Sequence, residues 1–176
     1  MKKNEGGPAP MERTPQTYPF PPLYDERSRV LILGSFPSVA SREAAFFYGH
    51  PQNRFWRVLA ALFGTDVPRS VEEKTALVLR ERLALWDTIA SCEIAGSSDA
   101  SIKNVRANDL REILSGADIR AIFCNGGTSY RWYNRLLRGT LGWEAALLPS
   151  TSPANAAWTL EKLIEAWSAA ILPHLE

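Results

Sequence analysis

The stretch "RVLILGSFPS" (residues 29–38) places an unbroken run of Val, Leu and Ile directly before a Gly-Ser turn. A short apolar run that ends in turn residues predicts a buried strand, here near residues 29–33, followed by a loop. Three further segments have the same character: "LALWDTIAS" (83–91), "IRAIFCNGG" (119–127) and "WEAALLPSTSPAN" (143–155). The sequence therefore predicts about four strands.

Segments with helical periodicity lie between these strands. They are "NRFWRVLAALFG" (53–64), "VEEKTALVLRERLAL" (71–85), "NDLREIL" (108–114, with Asn108 as a candidate cap), "SYRWYNRLLR" (129–138) and "TLEKLIEAWSAAIL" (159–172). The polar segment "GSSDASIKN" (96–104) is typical of a loop. Alternation of strands and helices predicts an α/β fold, a mostly parallel sheet with helices on both faces in three αβα layers.

The N-terminal segment differs in composition from the rest of the chain. Six of the 12 prolines fall within residues 1–22. This enrichment predicts an extended, mobile Pro-rich arm over residues 1–22 and a single domain over residues 23–176. The basic N-terminus has no apolar segment behind it and does not resemble a secretory signal. The longest apolar runs are too short to span a bilayer, so we expect a cytoplasmic protein with no membrane partner.

Charge and cysteine content exclude several classes of protein. A net charge of +1 provides no strong positive field over the whole protein, which disfavours a protein that coats DNA. Local contacts with a few phosphates do not need such a field. Cys92 and Cys124 form no CxxC pair, and two thiols cannot supply an iron–sulfur cluster or an all-cysteine zinc site. We expect free, buried thiols. His50 and His174 are the only histidines and lie in no metal-ligand spacing, so no metal or cofactor is predicted.

Three loops that follow strands are rich in small residues and serine: "GSFPS" (34–38), "NGGTS" (125–129) and "LPSTSPAN" (148–155). In parallel sheets ligands bind beyond the carboxyl ends of the strands, so all three loops are predicted to line one crevice. None is a dinucleotide fingerprint, a P-loop or a nucleophile elbow. For Gly34 the alternative to a functional role is a tight turn that needs a glycine backbone. The loop at 148–155 is either purely structural or a rigid phosphate-contacting loop.

The stretch "FFYGHPQNRFW" (46–56) packs five aromatic residues around a His, a Pro and an Asn. Asn53 precedes an amphipathic helix and is either its N-cap or a functional group. His50 points either into a pocket or out to solvent. In "RWYNRLLR", Arg131, Arg135 and Arg138 share one helical face, which is either solvated or a phosphate-contact stripe.

Together, "GSFPS", "FYGHPQNRFW" and "LPSTSPAN" resemble the uracil-DNA glycosylase superfamily, from about residue 23 to the C-terminus. The first two segments are similar to the mismatch-specific uracil and thymine branch. The residues of the three motifs are more similar still to those of the hypoxanthine (deoxyinosine) DNA glycosylase branch. The resemblance implies a uracil-DNA-glycosylase-like fold, and a monomeric repair enzyme without metal or cofactor. It would flip a deaminated base, hypoxanthine or uracil, out of double- or single-stranded DNA and hydrolyse its N-glycosidic bond, leaving an abasic site.

The resemblance also implies site residues. Asn53 is the catalytic candidate. The base-pocket candidates are Gly34, Ser35, Phe36, Tyr48 and Asp87, and the DNA-binding candidates are Ser38, Pro149, Ser150, Thr151, Ser152 and Pro153. For Asp87 the alternative is a helix or loop cap.

Two positions depart from the family pattern. Phe36 stands where the mismatch branch has its water-activating Asn, and Leu148 stands where the classical uracil enzymes have a catalytic His. No Lys is placed as a Schiff-base nucleophile, which favours a monofunctional enzyme. The departures leave open an inactive nucleic-acid or nucleobase-binding protein of the same fold. An unrelated small α/β hydrolase is disfavoured by the absence of a nucleophile elbow.

Overall fold

The computed structural model of the chain describes residues 12–17, 21–95 and 98–176. The strands are β1 (Thr14–Thr17), β2 (Val30–Gly34), β3 (Leu83–Asp87), β4 (Ile89–Ile94), β5 (Lys103–Ala107), β6 (Ala121–Asn125) and β7 (Ala146–Leu148). The helices are α1 (Val39–Ala44), α2 (Phe55–Leu62), α3 (Val71–Arg80), α4 (Arg111–Gly116), α5 (Gly127–Leu136), α6 (Arg138–Leu141) and α7 (Leu160–Ile171). Short 3₁₀ turns occupy Asp99–Ser101 and Leu172–His174.

The four predicted strands form one parallel sheet in the order β3-β2-β6-β7. The central strand β2 is buried along its whole length. Its side chains alternate between two cores: Val30 and Ile32 pack with residues of α2, α3 and α7, whereas Leu31 and Leu33 pack with residues of α4 and α5. Helices therefore cover both faces of the sheet, and the predicted three-layer αβα architecture is confirmed.

A second sheet was not predicted from the sequence. It is antiparallel, with the order β1-β4-β5, and its buried face carries a small core that includes Phe36 and Ile94. The "GSSDASIKN" segment was predicted to be a loop, but its last residues, from Lys103, begin β5. β4 follows β3 after a single residue, Thr88.

The predicted mobile arm needs a correction over Thr14–Thr17. These four residues pair with β4 along their whole length, because the edge of β4 offers unpaired backbone groups to a passing extended segment. Residues 1–11 and 18–20 lie outside the described residues, and the domain boundary at residue 23 stays a prediction. Among the residues that the structure describes, no helix combines the length and apolar character needed to cross a bilayer.

Other local expectations have mixed outcomes. The helices α2, α5 and α7 begin and end within two residues of the predicted limits, whereas α1 and α6 were missed. α3 begins at the predicted residue but ends at Arg80, five residues early, because β3 begins at Leu83. Asn108 is not the cap of α4, because the N-cap position is Leu110 and the Asn108 side chain instead donates to the buried carbonyl of Asp87. Cys92 and Cys124 are free and buried, as expected.

Candidate active site at the carboxyl edge of the parallel sheet

A cavity of about 730 Å³ opens at the carboxyl ends of β2, β3 and β6. Almost every site residue predicted from the sequence lines it: Gly34, Ser35, Phe36, Ser38, Tyr48, Asn53, Asp87, Ser150, Thr151, Ser152 and Pro153. Pro149 lines a neighbouring cavity of about 640 Å³ on the other side of the same Ser/Pro loop. The three strand-end loops and the aromatic segment thus meet, as the order of strands requires.

Gly34 and Asp87 are the last residues of β2 and β3 and pair side by side in the sheet. A Cβ atom at position 34 would lie 2.2 Å from Asp87 Oδ1, closer than two such atoms can approach. Glycine is needed here to make room for the carboxylate; the expectation that it serves a special turn backbone is wrong. No helix follows Asp87, since β4 begins two residues later. The helix-cap alternative for Asp87 is therefore excluded. Its side chain is buried and lines the cavity.

Tyr48 contributes an aromatic wall. Its ring stacks on the fully buried Phe55 with 3.8 Å between ring centroids and 18° between planes. Its backbone has a φ of 52°, a left-handed conformation that non-glycine residues adopt at a cost. Burial, and then the negative charge of Asp87, raise the pKa of the Tyr48 hydroxyl far above its usual range, while Asn125 acts in the opposite direction. Tyr48 is therefore neutral at physiological pH.

Asn53 is the centre of a hydrogen-bond network that links two motifs 98 residues apart. Its Oδ1 accepts from the backbone N–H of Phe55 (3.0 Å) and from the hydroxyl of Thr151 (2.8 Å). Both lone pairs of the carbonyl oxygen are thereby used within the protein. The amide Nδ2 forms no hydrogen bond with any described residue, so Asn53 has only donor capacity left for a ligand in the cavity that it lines.

Thr151 is held from the other side by Asn125, the last residue of β6. Asn125 Nδ2 donates to Thr151 Oγ1 (3.0 Å), and Asn125 Oδ1 accepts from the Thr151 N–H (3.1 Å). Thr151 is 0% exposed, so its predicted contact with DNA phosphate is wrong: the hydroxyl is fully engaged in positioning Asn53. Asn125 was missed as a site residue, although its place in the "NGGTS" loop at a strand end was a usable signal.

Arg54 fixes the Ser/Pro loop to the start of α2. Its guanidinium donates to the backbone carbonyls of Ser152 (2.8 Å), Asn155 (3.1 Å) and Trp158, and more weakly to that of Thr151 (3.4 Å). The Arg54 backbone N–H also donates to the Thr151 carbonyl. No carboxylate pairs with Arg54 among the described residues. These hydrogen bonds were not predicted, because every residue has a backbone carbonyl and the sequence does not show which carbonyls a distant arginine will contact.

The remaining predicted residues have distinct surroundings. Ser150 Oγ and Ser152 Oγ accept from backbone N–H groups two residues further along, so each still has an O–H to donate. Ser38 caps α1 by accepting from the Ser41 N–H, and it donates to Ser41 Oγ, which leaves its hydroxyl occupied. Ser35 donates to Asp99 in the 3₁₀ turn (3.3 Å). His50 is exposed at the cavity rim, and its Nδ1 accepts from the Gln52 N–H.

The comparisons with known proteins decide the family. The family model described as the uracil DNA glycosylase superfamily matches residues 21–176.

The chain belongs to the uracil DNA glycosylase superfamily.

Two curated members are similar to it. The hypoxanthine DNA glycosylase of Methanosarcina acetivorans is 34% identical over 151 residues, covering 85% of this chain and 94% of the relative. That of Methanosarcina barkeri is 33% identical over 138 residues, covering 77% and 86%. A solution NMR structure from Methanosarcina acetivorans, described as a candidate uracil DNA glycosylase, superimposes with a TM-score of 0.76 at 33% identity. It covers 90% of this chain and 98% of its own length.

Within the superfamily fold, the two departures noted in the sequence have structural counterparts. Phe36 is buried in the core of the antiparallel sheet and lines the cavity, with the Arg42 guanidinium 5.5 Å from its ring centroid. Leu148 is a buried core residue at the end of β7. Neither position offers a polar side chain, so the polar side chains that line the cavity come from other residues, among them Asn53, Asp87, Asp99, Asn125 and several serines. Among the described residues, no three His, Cys, Asp or Glu side chains group together to hold a metal ion.

Proposed function

We propose that this protein is a DNA glycosylase that hydrolyses the N-glycosidic bond of a deaminated base, with hypoxanthine preferred and uracil a second substrate, and leaves an abasic site. The observation that carries the proposal is the Asn125–Thr151–Asn53 network, which presents the unused amide group of Asn53 in a cavity bounded by an aromatic ring and a carboxylate. The names of the curated relatives support the choice of hypoxanthine. We further propose that it acts as a monomer in the cytoplasm, without metal or cofactor.

The walls of the cavity suit a nucleobase that has left the DNA stack. An enzyme that acts on a base within a duplex must extrude it and read it in a pocket. Tyr48, backed by Phe55, supplies a rigid face for stacking. Asp87 is an acceptor at the inner end of the cavity, and hypoxanthine N1–H and uracil N3–H are both donors. Adenine lacks a hydrogen on N1, so the carboxylate would repel that edge.

Asn53 acts as a donor. In the reaction a bond forms between a water oxygen and C1′, while the C1′–N bond breaks and its electron pair leaves with the base. The proton that the water loses ends on the departing base, directly or through solvent, so the products are the abasic site and the neutral base. Because Oδ1 of Asn53 already accepts two hydrogen bonds, this residue is not available as an acceptor for the proton of the attacking water. Its Nδ2 instead donates to the departing base, where negative charge develops. A preorganised donor of this kind is worth roughly 10²–10³ in rate.

The experiment uses duplexes that carry hypoxanthine, uracil, xanthine or mismatched thymine, incubated with excess protein and a chelator and then treated with alkali to reveal abasic sites. We expect cleavage of the hypoxanthine duplex first. Strand breaks before alkali treatment would contradict the monofunctional assignment. Tight binding of lesion duplexes without any cleavage would favour the non-catalytic binding protein instead.

The variant Asn53→Asp tests the catalytic assignment. It keeps an oxygen for Phe55 and Thr151, loses the Nδ2 donor and adds a negative charge beside the departing base, so we expect a retained fold and a loss of roughly 10²–10³ or more in the single-turnover rate. Asn53→Ser is too short to span the network and serves as the second variant. Near wild-type cleavage by Asn53→Asp would make Asn53 a purely structural residue, and His50 would be the next catalytic candidate.

A further inference from the structure

The three arginines that the sequence placed on one helical face are not equivalent in the structure. Arg138 forms an ion pair with Glu144, with 2.6 Å between Arg138 Nη2 and Glu144 Oε1. Arg131 and Arg135 are exposed on α5 and form no ion pair with any residue of the described ranges. Two of the three positive charges therefore stand unneutralised on the protein surface.

Arg131 and Arg135 are held in place by an aromatic ring. Their guanidinium carbons lie 5.8 Å and 5.3 Å from the ring centroid of Trp132, a cation–π distance for both. Trp132 itself is half-buried and packs against the core of the antiparallel sheet. Residues four apart on a helix lie on the same face, about 5–6 Å from each other. The two charges thus form a preorganised pair whose side-chain entropy is already reduced.

This pair lies next to the two cavities. Gly127 and Thr128, the first residues of α5, line the neighbouring cavity, and Arg131 is one helical turn further on. Desolvation raises the pKa of Asp99, which lines both cavities, while hydrogen bonds from Ser35 and Thr128 and the charge of Arg131 act in the opposite direction. Arg131 is therefore within electrostatic reach of the cavity rim without forming an ion pair there.

We propose that Arg131 and Arg135 form a second phosphate-contact surface, which binds the backbone of duplex DNA beyond the Ser150 and Ser152 loop. The inference rests on the proposed function. Its partner is a polyanion because two fixed, unpaired guanidiniums have complementary charge, and guanidinium groups bind phosphate with two parallel hydrogen bonds. The protein has a net charge of only +1, so such local pairs, and not a global field, would supply its attraction to DNA.

The test measures the dissociation constant for an undamaged duplex and for a hypoxanthine duplex at several salt concentrations. Each phosphate contact contributes about 0.9 to the slope of log K against log salt concentration for B-DNA. The double variant Arg131→Ala/Arg135→Ala should therefore reduce the magnitude of this negative slope by roughly 1.8 on both duplexes. The matched control Arg138→Ala removes an already paired arginine nearby and should leave the slope unchanged.

Further measurements separate the surface from the active site. At saturating protein the double variant should keep its single-turnover rate, because the reacting groups are untouched. Arg131→Lys/Arg135→Lys keeps both charges and should largely restore the slope, which also guards against a folding defect in the alanine variant. A wild-type slope in a folded double alanine variant overturns the inference. A wild-type protein that binds DNA but cleaves none of the lesions overturns the proposed function and leaves the salt-slope test of this surface in force.

Discussion

Gly34 and Asp87 end neighbouring parallel strands, and the space between them admits a carboxylate only because position 34 has no side chain. We expect Gly34→Ala to displace the Asp87 carboxylate, since the new Cβ would lie 2.2 Å from Oδ1 and 3.3 Å from the Tyr48 hydroxyl oxygen. Misplacement of a site group by about 1 Å can cost roughly 10²-fold in rate. The measurement is single-turnover cleavage of a hypoxanthine duplex, alongside thermal unfolding.

A matched glycine makes this prediction specific. A Cβ at Gly139 would meet open space, and the backbone there does not have a positive φ. Gly139→Ala should therefore leave the rate unchanged and stabilise the protein slightly, by about 0.4–1 kcal/mol, through the unfolded chain. Equal rates for the two alanine variants would show that the position of Asp87 does not matter for the reaction.

Asn53 shows how far a single residue can be understood from the sequence. Its position before an amphipathic helix predicted a cap, and its motif predicted a functional group. The N-cap position of α2 is Arg54, so the cap assignment of Asn53 is wrong by one residue. Its Oδ1 nevertheless accepts from the Phe55 N–H at the helix start, while Nδ2 forms no hydrogen bond with the described residues. The decisive bond comes from Thr151, on a loop 98 residues further along the chain. Spacing within one motif carries no information about such a contact between loops.

At the scale of elements, the loop from Thr151 to Trp158 is shaped by Arg54. We expect Arg54→Lys to loosen this loop, because one ammonium cannot reach the carbonyls of Ser152, Asn155 and Trp158 in the fork geometry of a guanidinium. Affinity for DNA and the cleavage rate should both fall, whereas the slope of log K against log salt concentration should hold, since the charge is kept.

Arg57 provides the control for Arg54. It is exposed on α2 and forms neither an ion pair nor a side-chain hydrogen bond with the described residues. Arg57→Lys should leave affinity, rate and salt slope at their wild-type values. If Arg54→Lys behaved in the same way, the loop would owe its shape to its prolines and internal hydrogen bonds alone.

The elements that the sequence predicted and those that it missed differ in physical character. β2, β3 and β6 are buried on both faces and give unbroken apolar runs. β4 buries Ile89, Cys92 and Ile94 at irregular intervals over only six positions, so its apolar residues cannot be separated from those of the preceding strand. β1 carries no apolar pattern at all, because it is an exposed edge strand held by backbone pairing. The sequence predicts a strand where burial requires a run of apolar residues. It does not predict a strand whose position depends on backbone hydrogen bonds to a neighbouring strand.

At the scale of the whole molecule, the cavity lies where the two sheets meet. The parallel sheet contributes Gly34 and Asp87, which were predicted as site residues, and Asn125, which was missed although its loop was predicted to line the crevice. The antiparallel sheet contributes Ile94, and the 3₁₀ turn beyond it contributes Asp99. Those two residues were not predicted to line the cavity, because their position depends on the antiparallel sheet, which was itself not predicted from the sequence. The site is therefore a product of the packing of both sheets, and its stability is tied to their junction.

Asn108 bridges that junction, and its loss tests whether the two sheets unfold together. Its Nδ2 donates to the buried Asp87 carbonyl (2.8 Å), and its backbone N–H donates to the Thr88 carbonyl (2.9 Å). Asn108→Ala removes the hydrogen bond from Nδ2 to the buried Asp87 carbonyl, and the net loss of such a bond costs about 0.5–1.5 kcal/mol. For a chain of this size each kcal/mol lowers the melting temperature by roughly 2–4 °C.

We expect Asn108→Ala to unfold in a single transition at a lower temperature, because both sheets share this hydrogen-bonded seam beside Asp87. Calorimetry and circular dichroism should report the same midpoint. The control is Asn134→Ala on α5, where the side chain makes no hydrogen bond with the described residues, so its melting temperature should stay close to that of the wild type. An early separate transition in Asn108→Ala would mean that the antiparallel sheet unfolds on its own. An unchanged midpoint would mean that water replaces the lost amide at the Asp87 carbonyl.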